Sequence, residues 1–133
     1  MMIVSNLMPR RKCSFYCCPV VFITTAEVWP FFDNRLTEVP ALNKLPIYCE
    51  DIDKHKPKIV QDFLLQVESA NGILFCTPEY NHSIPAVLKN AIDWASRPAF
   101  NSPLKFMPVS FITQAVSPVG GARAQAHLKL VLD

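Results

Sequence analysis

At 133 residues the chain suits one domain able to bury a usable core, and half of its residues are apolar. A net charge of +2, with neither a lysine-rich run nor a basic patch interleaved with aromatics, argues against nucleic acid as a partner. The five cysteines are an odd number, which favours a reducing, cytoplasmic setting over a disulfide framework, and no apolar run is long enough to span a bilayer.

The first thirty residues admit two readings. Arg10-Arg11-Lys12, the apolar stretch from Cys13 to Ile23 and the small residues Thr24-Thr25-Ala26 have the three parts of a secretory signal. Pro19 interrupts that stretch, and the plainer reading is a displaced first strand from Pro19 to Thr24. Cys13, Cys17 and Cys18 lack the paired spacing and nearby histidine of a thiolate metal site, so no metal is expected. Cys49 and Cys76 read as reduced, packed thiols.

Alternating elements follow. Residues 57 to 70 have the pattern of an amphipathic helix, with Ile59, Val60, Phe63, Leu64 and Val67 on the buried side and Asn71-Gly72 as its stop. The short apolar run at residues 73 to 76 predicts a strand buried on both faces, ended by Thr77-Pro78. Beyond it Ser83 is placed to cap a helix whose first turn accepts Pro85 and whose buried face is Leu88, Ala91, Ile92 and Ala95. Arg97-Pro98 closes that helix. A strand from Val109 to Thr113 completes a right-handed βαβ crossover, and a last helix from Ala122 to Leu132 follows the loop Gln114 to Gly121. In an open parallel sheet, ligands collect where a loop leaves the carboxyl end of a strand for a helix, and Glu79-Tyr80-Asn81 stands there.

Residues 77 to 98, TPEYNHSIPAVLKNAIDWASRP, resemble the signature of the NADPH-dependent FMN reductases, including their chromate and quinone reductase branch. Leu45-Pro46-Ile47-Tyr48 followed by Glu50-Asp51 resembles the family's upstream segment, and Gly120-Gly121-Ala122-Arg123-Ala124-Gln125 with His127-Leu128 its fourth loop and helix. The resemblance spans about residues 31 to 133 and leaves residues 1 to 30 as a divergent segment. It implies a flavodoxin-like, three-layer α/β sandwich on a parallel sheet, here without the last strand. It also implies FMN as cofactor, NADPH or NADH as donor, and a small-molecule acceptor such as a quinone, in a homodimer or homotetramer. By resemblance Pro78, Glu79, Tyr80 and Asn81 line the isoalloxazine, with Ser117, Gly120 and Gly121 closing over it from the next loop. Lys89, Asn90, Asp93 and Trp94 belong to the signature without being reagents, Asp93 and Trp94 being assigned to helix packing and subunit contact. His82 reads as a solvated loop histidine, and Arg123 as an exposed charge or a subunit-interface ion pair.

The implied chemistry is hydride transfer from NAD(P)H to the flavin and onward to the acceptor, which needs no protein nucleophile or acid–base dyad. One family feature has no counterpart. The flavin phosphate is held by a glycine-containing loop after the first strand, whereas all three glycines, Gly72, Gly120 and Gly121, lie in the second half of this chain. Ser5-Asn6 and Arg10-Arg11 are the nearest substitutes, but they precede the strand-like run instead of following it. A flavin oxidoreductase and a non-catalytic remnant that keeps the dimer-forming face while binding flavin weakly therefore both remain, with an electron-transfer flavodoxin behind them.

Overall fold

The computed structural model describes residues 20–24, 36–39 and 42–133, so the expectations placed on the basic and cysteine-rich start of the chain lie outside the described residues. Four strands, β1 (Val20–Thr24), β2 (Leu36–Glu38), β3 (Gly72–Pro78) and β4 (Val109–Gln114), form one sheet in the order β2-β1-β3-β4. That order is flavodoxin-like: β1 sits between β2 and β3, so the winding changes direction at the β1/β3 junction. The helices are a short α1 (Glu50–Asp53), α2 (Lys58–Glu68), α3 (Ala86–Ala95) and α4 (Ala122–Leu132).

Strand direction departs from the expected parallel sheet on one side. β3 and β4 are parallel, but β1 runs antiparallel to both β2 and β3, with Val20 opposite Cys76 and Thr24 opposite Gly72. An apolar run has the same period of two read in either direction, so the sequence marks a strand without fixing which way it points. The reversal places the end of β1, Thr24, at the start of β3, away from the Pro78 end where a ligand loop is expected.

The core is one cluster built on β3. Phe63 and Val67 of α2, Ile73 and Phe75 of β3, and Ala91, Ile92 and Ala95 of α3 meet on one face. Trp94 is fully buried; its indole N–H donates to the carbonyl of Pro46 at 2.7 Å and its ring meets Tyr48 edge-on at 5.0 Å. Asn90, one turn earlier, accepts from the Tyr48 N–H at 2.8 Å and donates to the same Pro46 carbonyl at 3.0 Å. Two signature residues of α3 thus pin the segment 45–48, which pairs with no strand among the described residues. Trp94 is therefore an internal anchor, not a subunit contact. Asp93 pairs with Lys89 along the helix.

Three smaller expectations change. Ile59 is exposed, because the buried stripe of α2 follows Val60, Phe63, Leu64 and Val67 and leaves it at the margin. Cys49 is exposed, sitting just before α1, while Cys76 is the packed thiol. Ser83 does not cap α3: the cap position is Pro85, two residues later, out of reach of a Ser83 bond to the first helical amides, and its fixed φ of −59° starts the helix.

Candidate functional site

Two loops leave the carboxyl ends of the parallel strands side by side. Pro78 and Gln114 are in register, and the Glu79 N–H continues the ladder by donating to the Gln114 carbonyl at 2.8 Å. The first loop then turns sharply. Tyr80 and Ser83 exchange backbone hydrogen bonds of 2.9 Å in both directions, and Asn81 and His82 between them both have positive φ, 48° and 63°. Positive φ at both central residues is the mark of a type I′ turn, which asparagine tolerates and histidine adopts at a cost. The tight turn leaves Tyr80 42% exposed and Asn81 and His82 on the surface, with Pro78 buried below them.

The second loop runs from Ala115 to Gly121. Its last two residues both have positive φ, 63° at Gly120 and 85° at Gly121, so the glycines meet a real backbone requirement. They differ in surroundings. A Cβ at Gly121 would stand 2.9 Å from Cβ and Oγ1 of Thr113, whereas one at Gly120 would meet nothing within 4 Å. Gly121 lets α4 approach β4 closely, and Gly120 leaves open space on the loop. Thr113 is held from above by the Gln125 side-chain amide at 2.7 Å.

Glu79 does not point at that open space. Its side chain is only 6% exposed and reaches across to α4, where Oε2 accepts from the N–H groups of Arg123 at 3.1 Å and Ala124 at 3.2 Å. Gly121 occupies the cap position of α4 and has no side-chain oxygen, so Glu79 supplies the missing cap, 44 residues upstream of the Arg123 amide it accepts from. Its other oxygen lies 3.6 Å from His82 Nδ1 and 3.9 Å from Arg123 Nη1. Arg123 thus pairs within the chain. One turn further along α4, His127 Nδ1 shares a hydrogen bond with the Ser83 hydroxyl.

His127 stands in the sequence as part of the resembling segment without a role, and nothing local marks its partner, which is 44 residues away. Of the other expected residues, Pro78 to Asn81 lie at the end of β3 and on the loop after it, and Ser117, Gly120 and Gly121 on the loop after β4. Ser117 is exposed and accepts the Gly120 N–H at 3.0 Å through its carbonyl, which closes the second loop on itself. Among the described residues no cluster of histidine, cysteine or acidic side chains forms a metal site. A cavity of about 560 Å³ lies at the opposite end of β4, lined by Arg97, Phe106, Val109 and Val131, away from the carboxyl ends of the strands.

The family profile for NADPH-dependent FMN reductases matches residues 26–133. The chain belongs to the NADPH-dependent FMN reductase family. It is 40% identical over 132 residues to a quinone reductase of Escherichia coli (strain K12), covering 98% of this chain and 68% of the relative. It is 46% identical over 85 residues to a 2-hydroxy-1,4-benzoquinone reductase of a Burkholderia species, covering 64% of this chain and 46% of that one. Among solved structures it resembles the flavoenzyme FerB, an NAD(P)H:(acceptor) oxidoreductase from Paracoccus denitrificans. There the TM-score is 0.64 with 38% identity, over 68% of this chain and 50% of FerB. The chain thus spans roughly half to two thirds of the length of these relatives.

The described residues fit one part of the family's cofactor. Open space beside Gly120 and the half-exposed Tyr80, on two neighbouring loops, suit a flat, mostly apolar ring with polar edges. The anionic part has no such cradle among the described residues: the amides at the start of α4 are already taken by Glu79, and β1 ends away from the site.

Proposed function

We propose that this chain acts as an NAD(P)H-dependent flavin reductase of the quinone reductase type. The observation that carries the reading is the pair of turns at the carboxyl ends of β3 and β4, Tyr80–Ser83 and Gly120–Gly121, with Tyr80 42% exposed and nothing within 4 Å of where a Gly120 Cβ would stand; the reading seats the ring in an opening between them. A bound flavin would supply the redox chemistry, taking hydride from NADPH or NADH and passing electrons to a quinone. The chain's share is binding and orientation. Pro78 forms the buried floor, the backbone of Asn81 at the tip of the turn offers hydrogen bonds to the polar ring edge, and the half-exposed Tyr80 side chain borders the ring. Ser117, Gly120 and Gly121 bound the opening from the second loop, where glycine allows the backbone itself to be the contact surface. Self-association into a homodimer or homotetramer belongs to the same reading.

An FMN titration of the purified chain, followed by flavin fluorescence, and then NADPH oxidation with a quinone in the same cuvette, tests it. Binding in the micromolar range or tighter with acceptor-dependent turnover is expected. A folded sample that leaves FMN fluorescence unchanged at hundreds of micromolar protein would sink the reading and identify a non-catalytic remnant. A parallel riboflavin titration reports how much the phosphate contributes.

A further inference from the structure

Glu79 belongs to the segment that resembles the flavin-facing loop, yet its carboxylate is turned away from the opening and spent on α4. A buried carboxylate is retained where hydrogen bonds and opposite charge replace its water. Here two backbone N–H donors at 3.1 and 3.2 Å do so, at the positive end of a helix dipole, with His82 and Arg123 at longer range. Ser83, four residues on, makes the second tie, to His127, one turn further along the same helix. The two ties bracket the Tyr80–Ser83 turn. The Glu79 tie reaches the first turn of α4, directly after Gly120-Gly121, the glycines that end the second loop, and the Ser83 tie its second turn.

We propose that Glu79 is a positioning residue: its carboxylate latches the first loop to the start of α4 and thereby sets the spacing between Tyr80 and Gly120 across which the flavin ring is held. This rests on the flavin reading above. The backbone on either side is ill-suited to set that spacing alone. Asn81 and His82 sit in a strained turn, Gly120 and Gly121 carry no side chains to pack, and β4 beneath the second loop is an edge strand. A latch at the base of both loops fixes what their own sequences leave loose.

The test uses the full chain with Glu79→Ala, Glu79→Gln and Arg123→Ala, and reads amide hydrogen exchange at residues 120 to 127, FMN affinity by fluorescence and the visible spectrum of FMN at saturation. Glu79→Ala is expected to speed exchange of the Arg123 and Ala124 amides by about tenfold or more, since both lose their acceptor. It should also weaken FMN binding by about tenfold, the size of one lost charge-assisted bond. Glu79→Gln, which keeps one accepting oxygen, should fall between, and Arg123→Ala, which keeps the backbone N–H, should change affinity by less than about threefold. At saturating FMN the Glu79→Ala spectrum should stay shifted from wild type, whereas a mere loss of stability would restore it. Unchanged amide exchange in Glu79→Gln and Glu79→Ala overturns the latch. Faster exchange with FMN affinity and spectrum as in wild type overturns its role in the site. If Glu79→Ala does not fold, Glu79→Gln decides by the same two readouts. No FMN binding by the wild-type chain overturns the flavin reading and the latch's part in it together, while wild-type binding with insensitive variants removes the latch alone.

Discussion

β3 and β4 lie side by side, parallel and in register from Ile73 opposite Val109 to Pro78 opposite Gln114, and each delivers one loop to the candidate site. Their surroundings are unlike. β3 is paired on both edges, with β1 and β4, and nearly every residue in it is buried. β4 is an edge strand, with Ile112 46% exposed and Val109 at the surface. One ligand site is thus built on a strand paired on both sides and a strand paired, among the described residues, on one. The first loop can take its position from the core beneath it, while the second depends on contacts made above the sheet, through Gly121 against Thr113, Gln125 to Thr113 and Glu79 to α4.

The contrast can be broken by truncating the same kind of side chain on each strand. Phe75→Ala on β3 removes a ring that is 3% exposed and should cost about 3–5 kcal/mol in urea unfolding, whereas Ile112→Ala should cost less than about 1.5 kcal/mol. Equal losses would mean that β4 is covered in solution by something these residues do not show. At the next scale, Gly121→Ala combines left-handed strain with overpacking against Thr113 and should cost about 2–4 kcal/mol. Gly120→Ala meets only the strain, at about 1–2 kcal/mol, and should affect FMN affinity more than its share of stability if that open face holds the ring.

Cys76 sharpens the comparison through pH. Burial pushes its thiol above the ordinary range, so the folded chain keeps the proton after the unfolded chain has released it. Stability is therefore unaffected by this group below about pH 8.5 and is lost as pH rises beyond it, by at most about 1.4 kcal/mol per pH unit. Urea midpoints compared between pH 7 and pH 10 should fall more in wild type than in Cys76→Ala. The smallest effect concerns the first loop. His82→Gly relieves the positive φ of 63° and should stabilise the chain by about 1 kcal/mol in thermal unfolding. A loss would show that the His82 contact with Glu79 at 3.6 Å outweighs the strain.

Much of this region was legible because its signals are local. The continuous apolar run at 73 to 76, the 3.6-residue spacing of Leu88, Ala91, Ile92 and Ala95, and the turn residues around 77 to 82 each specify an element over a few neighbours, and the structure has all three. The placement of the loops was legible to the same extent: residues 78 to 81 follow β3 and residues 117 to 121 follow β4, its parallel neighbour, and their role toward a flavin is the proposal above. The side-chain detail was not. Glu79 reads as a loop carboxylate facing a ligand, and Ser83 as a helix cap, until α4 is brought over them. Asn90 and Trp94 read as members of a signature until the segment 45–48 is laid against them.

By itself the sequence determined β1, β3, β4, α2, α3 and α4 and which family the chain resembles, since propensity, turn chemistry and a near-continuous motif act within a few residues of each other, while the three-residue β2 and four-residue α1 are too short to carry such a pattern. Only the tertiary structure decided the direction of β1, the in-chain partners of Glu79, Ser83 and Arg123, and the unequal burial of β3 and β4. The physical reason is range: a period-two pattern is the same read from either end, and a hydrogen bond across 44 residues leaves no trace in the spacing of either partner.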